Sequence, residues 1–247
     1  MKHRWLLAAA AAVAITAAAE EPTGRSVLTA VDRNMGSDTK VMNAQMVIEG
    51  RRGSRTVAFK SWVRGVDESF TEYLEPPREK GVKMLKLGDQ LWAYYPATDR
   101  TIKISGHMLR QSVMGSDLSY EDLMEDPLLS SIYEPEITGE EMVGDRPSWV
   151  LRLTAARENL AYDSRTLWVD KDRFVILREH RFAKSGKLLK TTDVIEVVEQ
   201  DGRWIAKEVD FRDALKSDSG GTRFVLDTIE FNEEIPDYVF SKAVLRK

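Results

Sequence analysis

Between Thr23 and Met35 the apolar residues Val27, Leu28, Val31 and Met35 fall at spacings of one, three and four, the stripe of an amphipathic helix. Thr23 can cap its start and Gly36 can stop it. Beyond Gly36 the hydrophobic period drops to two. Met46 and Ile48 alternate with Val47 and Glu49. In Arg55–Arg64, Val57, Phe59 and Val63 share one face, and Thr56, Lys60, Trp62 and Arg64 share the other. Ser69–Leu74, Gly81–Leu87, Leu91–Tyr95 and Thr101–Ile104 continue the alternation, with Gly88-Asp89 and Pro96–Arg100 as turns. Residues 42–105 therefore predict short strands in an antiparallel meander.

Residues 106–135 break the pattern. Gly106–Gly115 is apolar and carries Met108, Leu109 and Met114 without a clear period. Ser116 or Ser119 can cap a short helix through Met124 that Asp126-Pro127 ends, and Ser119 with Asp122 three residues on fits a loose capping box. This segment is expected to lie across a sheet as helices and loop. Strand patterns resume at Tyr133–Val143, Trp149–Ala155, Arg165–Val169, Phe174–Phe182, Leu188–Val198, Trp204–Phe211 and Thr222–Asn232. The turns between them are rich in Asp, Gly and Ser. No linker and no fixed-period repeat divides the chain. The expected architecture is one domain over residues 20–247: a single curved antiparallel sheet with a few helices over one face.

The N-terminus follows a different rule. Lys2, His3 and Arg4 precede an apolar run from Trp5 to Thr16, and Ala17-Ala18-Ala19 then offers small residues before Glu20-Glu21-Pro22. That order reads as a secretory signal, residues 1–19, cleaved after Ala19. The apolar run is too short to span a bilayer, which needs about 20 residues. The mature chain is expected to be soluble and exported, most simply into a bacterial periplasm.

Composition narrows the chemistry. The 247 residues carry 36 Lys+Arg against 40 Asp+Glu, a net charge of -4, which argues against sequence-blind nucleic-acid binding. There is no Cys and only three His, so thiol catalysis, Cys-ligated metal and a His-rich metal site are excluded. His180, in the alternation Arg178-His180-Phe182, reads as a partly exposed strand residue. Ser112, Ser116 and Ser119 sit in no Gly-x-Ser-x-Gly elbow and read as turn and cap residues. Glu121, Asp122, Glu125 and Asp126 lack the spacing of a calcium loop and read as a solvated helix face. No phosphate-binding glycine loop is present. No enzyme chemistry, cofactor or metal is expected. What remains is apolar: Trp62, Trp92, Trp149, Trp168 and Trp204 all lie in or beside strand segments. They belong either to a close-packed core or to the walls of a cavity between sheet and cover.

The order of segments resembles a known family. Tyr73-Leu74-Glu75-Pro76-Pro77, Gly81-Val82-Lys83-Met84-Leu85, Leu91-Trp92-Ala93-Tyr94-Tyr95-Pro96 and the stretch from Arg110 to Leu123 are similar to the LolA-like outer-membrane lipoprotein-sorting proteins. The resemblance covers nearly all of residues 23–245. It implies a half-open β barrel, LolA- or LolB-like, closed by a helical lid, here residues 106–135. It also implies a periplasmic carrier that holds lipoprotein acyl chains or another lipid in a hydrophobic hollow, for transfer towards the outer membrane. The alternative is a non-catalytic accessory module that binds an inner-membrane exporter or transporter rather than a lipid. Apolar strand positions nominate Phe59, Leu85, Trp92, Leu151 and Ile176 for the hollow, and Met108, Leu109 and Met114 for the lid. Met repacks easily around varied cargo. A one-residue slip in strand phase sends a side chain to the opposite face.

The mature chain is expected to start at Glu20. N-terminal sequencing of exported protein reads this directly, and a retained Met1 on membrane-extracted protein would contradict it.

Overall fold

The structure, a computed structural model, describes residues 21–51, 53–125, 128–216 and 220–246. The signal segment 1–19, the expected new N-terminus at Glu20 and the stop at Asp126-Pro127 lie outside the described residues.

Helix α1 (Gly24–Met35) begins where the sequence places it, and Thr23 Oγ1 accepts a hydrogen bond from the Ser26 amide at 3.1 Å. Strands β1 (Thr39–Gly50), β2 (Gly53–Arg64), β3 (Glu68–Glu75), β4 (Lys83–Leu87), β5 (Gln90–Tyr95) and β6 (Arg100–Ile104) follow. The connection from Ser105 to Ile132 carries 3-10 turns at Gly106–Arg110 and Val113–Gly115, then α2 (Tyr120–Met124) and α3 (Leu129–Ile132). The chain continues through β7 (Tyr133–Val143), β8 (Arg146–Ala155), β9 (Ser164–Asp170), β10 (Ile176–Phe182), β11 (Leu188–Gln200), β12 (Arg203–Asp213) and β13 (Gly221–Phe231). Two 3-10 turns, Asp237–Phe240 and Lys242–Arg246, finish it. The lid segment is therefore shorter than expected, since Tyr133–Pro135 belong to β7. The expected strand from Phe174 starts later, at Ile176, because Phe174 adopts a left-handed φ of 51° in the preceding turn.

Among the described residues thirteen strands form one antiparallel sheet in the order β6-β5-β4-β3-β2-β1-β13-β12-β11-β10-β9-β8-β7. Two meanders meet at a central seam, where Met46 pairs with Phe224 and Asn43 with Thr228. The sheet is open, with β6 and β7 as its edges. Its architecture is the half-open β barrel that the resemblance implied.

Helix α1 and residues 105–132 cover one face, here called inner. Val27, Leu28 and Val31 of α1 pack with Leu129 and Ile132 onto Leu151, Leu153, Leu167 and Val169. Gly24 is seated so closely that a Cβ there would lie 2.9 Å from the Pro135 carbonyl oxygen. The Asp32 carboxylate accepts from the Leu129 and Ser130 amides at 3.1 and 3.0 Å, satisfying the first turn of α3. The C-terminal turns cover the outer face of the other meander. There Ile235, Val239, Phe240, Val244 and Leu245 bury Phe70, Leu85 and Trp92.

Leu28 is fully buried between α1 and the sheet. Its replacement by Ala should cost about 2–5 kcal/mol through lost transfer energy and the cavity left behind. Urea unfolding of the two forms measures the difference; a cost below about 1 kcal/mol would mean that α1 is not seated on the sheet as described.

Candidate functional site

The inner face divides into three zones. Beneath α1 and α3 lies the apolar cluster just described. Beneath α2 lies a charged belt. Beneath the segment from Val113 to Leu123, over β1 to β5, lies a hollow.

The hollow is a cavity of about 280 Å³. Its floor is the inward-pointing set of β1 to β5 and β13: Met42, Met46, Phe59, Tyr73, Met84, Leu91 and Phe224. Val113, Leu118 and Leu123 form its roof. Phe59 is the hinge of its aromatic wall, 5.8 Å from the Tyr73 ring and 6.1 Å from Phe224, both tilted. Burial drives the Tyr73 hydroxyl pKa well above its ordinary value, with the neighbouring Tyr120 adding to the effect. The phenol is therefore a neutral wall residue; its hydroxyl lies 3.7 Å from the Met84 sulfur.

The belt beside the hollow is built from three carboxylates and three cations. Asp122 and Glu125 come from α2 and its C-cap, and Glu179, Arg165, Arg181 and Lys190 come from β9 to β11. Asp122 meets Lys190 at 2.5 Å and Arg181 at 3.1 Å. Glu179 meets Arg165 at 2.5 Å and Arg181 at 2.8 Å, and Arg165 also pairs with Glu125. Tyr162 donates to Asp122 Oδ1 at 2.5 Å, and both guanidinium groups stack over its ring, at 5.2 Å for Arg165 and 5.3 Å for Arg181. The capping box is present as expected, but Asp122 serves two masters: it accepts from the Ser119 amide and anchors the roof to the floor. The acidic cluster is thus not the solvated helix face the sequence suggested. Its cation partners lie some forty to seventy positions further along the chain, out of sight of local pattern.

Further bonds hold the roof next to the belt. The Asp117 carboxylate accepts from Thr222 Oγ1 at 2.8 Å and from the Asp213 amide at 3.1 Å. Lys190 donates to the Asp117 carbonyl at 2.8 Å, and Lys216 donates to Ser112 Oγ at 2.7 Å and the Ser116 carbonyl at 2.6 Å. Ser112 and Ser119 face each other across a small antiparallel bridge, and Ser116 Oγ donates to the Val113 carbonyl at 2.7 Å. These serines are turn residues, as the sequence indicated.

The sequence-nominated hollow residues scatter. Phe59 lines the hollow. Leu85 and Trp92 face the other way: they pair with each other, one step out of phase with the inward pair Met84 and Ala93, and lie under the C-terminal turns. Leu151 is fully buried in the α1 cluster, and Ile176 packs against that cluster. Met108, Leu109 and Met114 pack onto the same apolar wall as Met46 and Val57, while Val113, Leu118 and Leu123 are the roof residues that line the cavity. His180 is half-buried, with its ring edge-on to Trp168 at 4.9 Å. Among the described residues no cluster of His, Asp or Glu has the arrangement of a metal site.

A family model described as "Uncharacterized protein" matches residues 65–247. No curated protein matches the sequence. Three solved structures are similar over nearly their whole length. A DUF1329 family protein from Desulfovibrio piger shares 24% identity and a TM-score of 0.81, covering 90% of this chain and 97% of that one. A domain assigned to outer-membrane lipoprotein sorting from Vibrio parahaemolyticus shares 20% identity and a TM-score of 0.79, covering 91% and 98%. A LolA superfamily protein from Nitrosomonas europaea shares 23% identity and a TM-score of 0.76, covering 90% and 99%. At these identities the likeness is one of fold.

The belt makes stability depend on acid. Burial would raise the carboxyl pKa values of Asp122 and Glu179. For Asp122 the charges of Lys190 and Arg181 outweigh burial, and for Glu179 those of Arg181 and Arg165 do, so each is held at about 2, below ordinary values of 3.8 and 4.5. A depressed carboxyl pKa contributes stability that is complete above the unfolded value. Here that contribution should be full above pH 4.5 and disappear as pH falls towards 2. Asp122→Asn leaves Lys190 and Arg181 facing a neutral amide and should cost about 3–5 kcal/mol. Urea unfolding at neutral pH and at pH 3 measures both effects; equal stability of the two forms would mean that α2 is not anchored through Asp122.

Proposed function

Since the chain belongs to the family of uncharacterized proteins whose model matches residues 65–247, and since it has the LolA superfamily fold, we propose that it is a carrier that holds an acyl chain in the hollow beneath residues 113–123. The observation that carries this reading is the hollow itself. A close-packed protein interior leaves few voids larger than a water molecule. About 280 Å³ is well beyond that, and the part of its wall made by Met42, Met46, Phe59, Tyr73, Leu91 and Phe224 matches a hydrocarbon, while Lys40, Ser61, Glu68, Thr71 and Lys86 line the rest. Fold alone would not carry the reading, because one architecture serves many roles.

The mechanism follows from the two neighbouring zones. Burying an acyl chain contributes about 0.8 kcal/mol for each CH₂, so a shallow hollow gives useful affinity without trapping the cargo. The belt holds α2 in register, so the wall is preorganised when cargo arrives. Six methionines, Met42, Met46, Met84, Met108, Met114 and Met124, lie on or against this wall and can repack around chains of different shape. No helix among the described residues is long and apolar enough to cross a membrane. With the signal-like residues 1–19, this supports work in a periplasm, between an inner-membrane donor and the outer membrane.

An apolar environment-sensitive dye should bind purified, delipidated protein with micromolar affinity and be displaced by fatty acids. Val63→Trp, which puts an indole into the hollow, should weaken that binding at least tenfold while the melting temperature shows the fold intact. Absence of dye binding by well-folded wild-type protein would overturn the carrier reading, and undiminished binding by the variant would put the site elsewhere.

A further inference from the structure

Charge is spread unevenly over this chain. The net charge is -4, and the acids of the edge strand β7 are answered. Glu134 pairs with Arg25, Glu136 with Arg152 and Glu140 with Lys171, and Glu141 accepts from Trp168 Nε1 at 2.7 Å. The opposite edge is different. On the outer face beside β6 lie Lys83 of β4, Lys103 of β6, and Lys242 and Arg246 of the last 3-10 turn. Among the described residues none of these four makes an ion pair.

Register and packing bring the four together. Trp92 pairs with Leu85 on one side and Lys103 on the other, and Tyr94 pairs with Lys83 and Thr101. The turn Lys242–Arg246 packs on β4 and β5. Trp92 is buried, and two ammoniums reach its ring, Lys242 Nζ at 4.1 Å and Lys103 Nζ at 5.8 Å from the centroid. Lys83 Nζ donates to the Val244 carbonyl at 3.5 Å, and Arg246 lies within electrostatic reach of the Tyr94 hydroxyl. Two acids share this area. Glu72 lies in register between Lys60 and Lys83, and Asp99 accepts from the Tyr94 hydroxyl at 3.2 Å. Set against Lys60, Lys83, Lys103, Lys242 and Arg246, they leave a positive patch on a negative chain.

The patch lies at the open end of the hollow, on the other face of the same strands. Lys40, Gly65 and Val66 line both the hollow and a groove beside the C-terminus of α1, which marks that end as the mouth. Register carries the row at the mouth from Lys40 through Val63 and Ser69 to Leu91 and Ile104. Trp92 and Lys103 are the adjoining positions of β5 and β6 and face outward. The cations of the patch repel one another, and contact with one indole offsets little of that. They come from three separate elements and spread over a surface. That arrangement suits a plane of many single anions better than one bound anion.

We infer that the outer face of β4 to β6, with the turn Lys242–Arg246, docks on an anionic phospholipid surface and so brings the mouth of the hollow beside a membrane. This goes beyond the carrier reading and holds whatever the hollow contains. Each Lys or Arg near an anionic leaflet strengthens binding about fivefold, and the attraction fades within a Debye length of about 8–10 Å. Lysine stems lie along apolar surface while their heads reach phosphate, and a half-buried tyrosine such as Tyr94 suits the same boundary. The negative charge of the rest of the chain turns its other faces away from such a surface. A second copy of the chain is a poorer occupant, because the acids of β7 that could meet the patch already have partners.

Flotation of the purified protein with vesicles tests this at low salt, using phosphatidylcholine alone and phosphatidylcholine mixed with phosphatidylglycerol. The mixed vesicles should carry the protein and the neutral ones should not. Salt at about 1 M, where the Debye length is about 3 Å, should release it. Lys103, Lys242 and Arg246 are exposed, so Lys103→Gln, Lys242→Gln and Arg246→Gln should leave the fold intact, which thermal melting checks. Each should weaken binding about fivefold and the three together about a hundredfold. Lys184→Gln with Lys187→Gln, in the exposed turn between β10 and β11, removes charge elsewhere and should leave binding unchanged. The apolar dye should bind the triple variant as it binds the wild type; absence of dye binding by both would overturn the carrier reading and leave this one standing. Equal flotation with both vesicles, or a control variant weakened as much as the triple one, would overturn the patch. Failure to float with the mixed vesicles would overturn it also. Retention of the wild type but not the triple variant on immobilised polyglutamate would then assign the patch to an acidic protein, and a dimer lost in the triple variant would assign it to a second copy.

Discussion

The whole molecule is organised by one connection. Strands β6 and β7 follow each other in the chain but form opposite edges of the sheet. Laid flat, thirteen strands spaced about 4.8 Å apart would put those edges nearly 60 Å from each other. The connection between them coils into 3-10 and α turns that rise only about 1.5–2 Å per residue, and it doubles back where Ser112 faces Ser119. It can join the two edges because the sheet curls. In doing so it lies across the concave side and becomes a roof. The roof is thus a consequence of strand order, and the hollow is the space between a curled floor and a strap that does not fill it.

The strap is fastened unevenly. Over β9 to β13 it is tied by ions and hydrogen bonds, through Asp117, Asp122 and Glu125 to Thr222, Lys190, Arg181 and Arg165. Over β1 to β5 it makes apolar contact, through Val113, Leu118 and the neighbouring methionines. Directional bonds specify one arrangement, whereas Met and Leu contacts tolerate several. The molecule therefore combines a fixed side with an adaptable side under one short segment. Buried ion pairs contribute little net stability compared with apolar packing, but breaking one is costly, so they act chiefly as locators.

Strands are legible in local alternation, whereas partners distant in the chain are not. Alternation located β2, β3, β5 and β7 to within a residue or two, and the caps at Thr23 and Ser119 have the geometry their spacing implied. Which face of β4 and β5 points inward is not legible from alternation, for a physical reason. Met84 and Leu85 are both apolar and both buried, because the roof covers one face and the C-terminal turns cover the other. A strand covered on both sides has no period to read, so Leu85 and Trp92 could not be told from Met84 and Ala93. The belt was hidden by distance: Asp122 and Glu125 look like surface acids until Arg165, Arg181 and Lys190 are folded beneath them.

The central seam has a consequence for the order of events in folding. Strand β1 finds β2 at once, across the hairpin in which Gly50 faces Gly53. Its other neighbour is β13, so that Asn43 must wait for Thr228. Contacts so far apart in sequence are slow to form, because loop-closure entropy is lost before they reward it. Until the last strand emerges from a ribosome or a translocation channel, the first meander keeps β1 as an unpaired edge. The two halves can fold as separate hairpin stacks, but the floor is continuous only after the final strand docks. A chain built this way completes its sheet only when its last strand is in place.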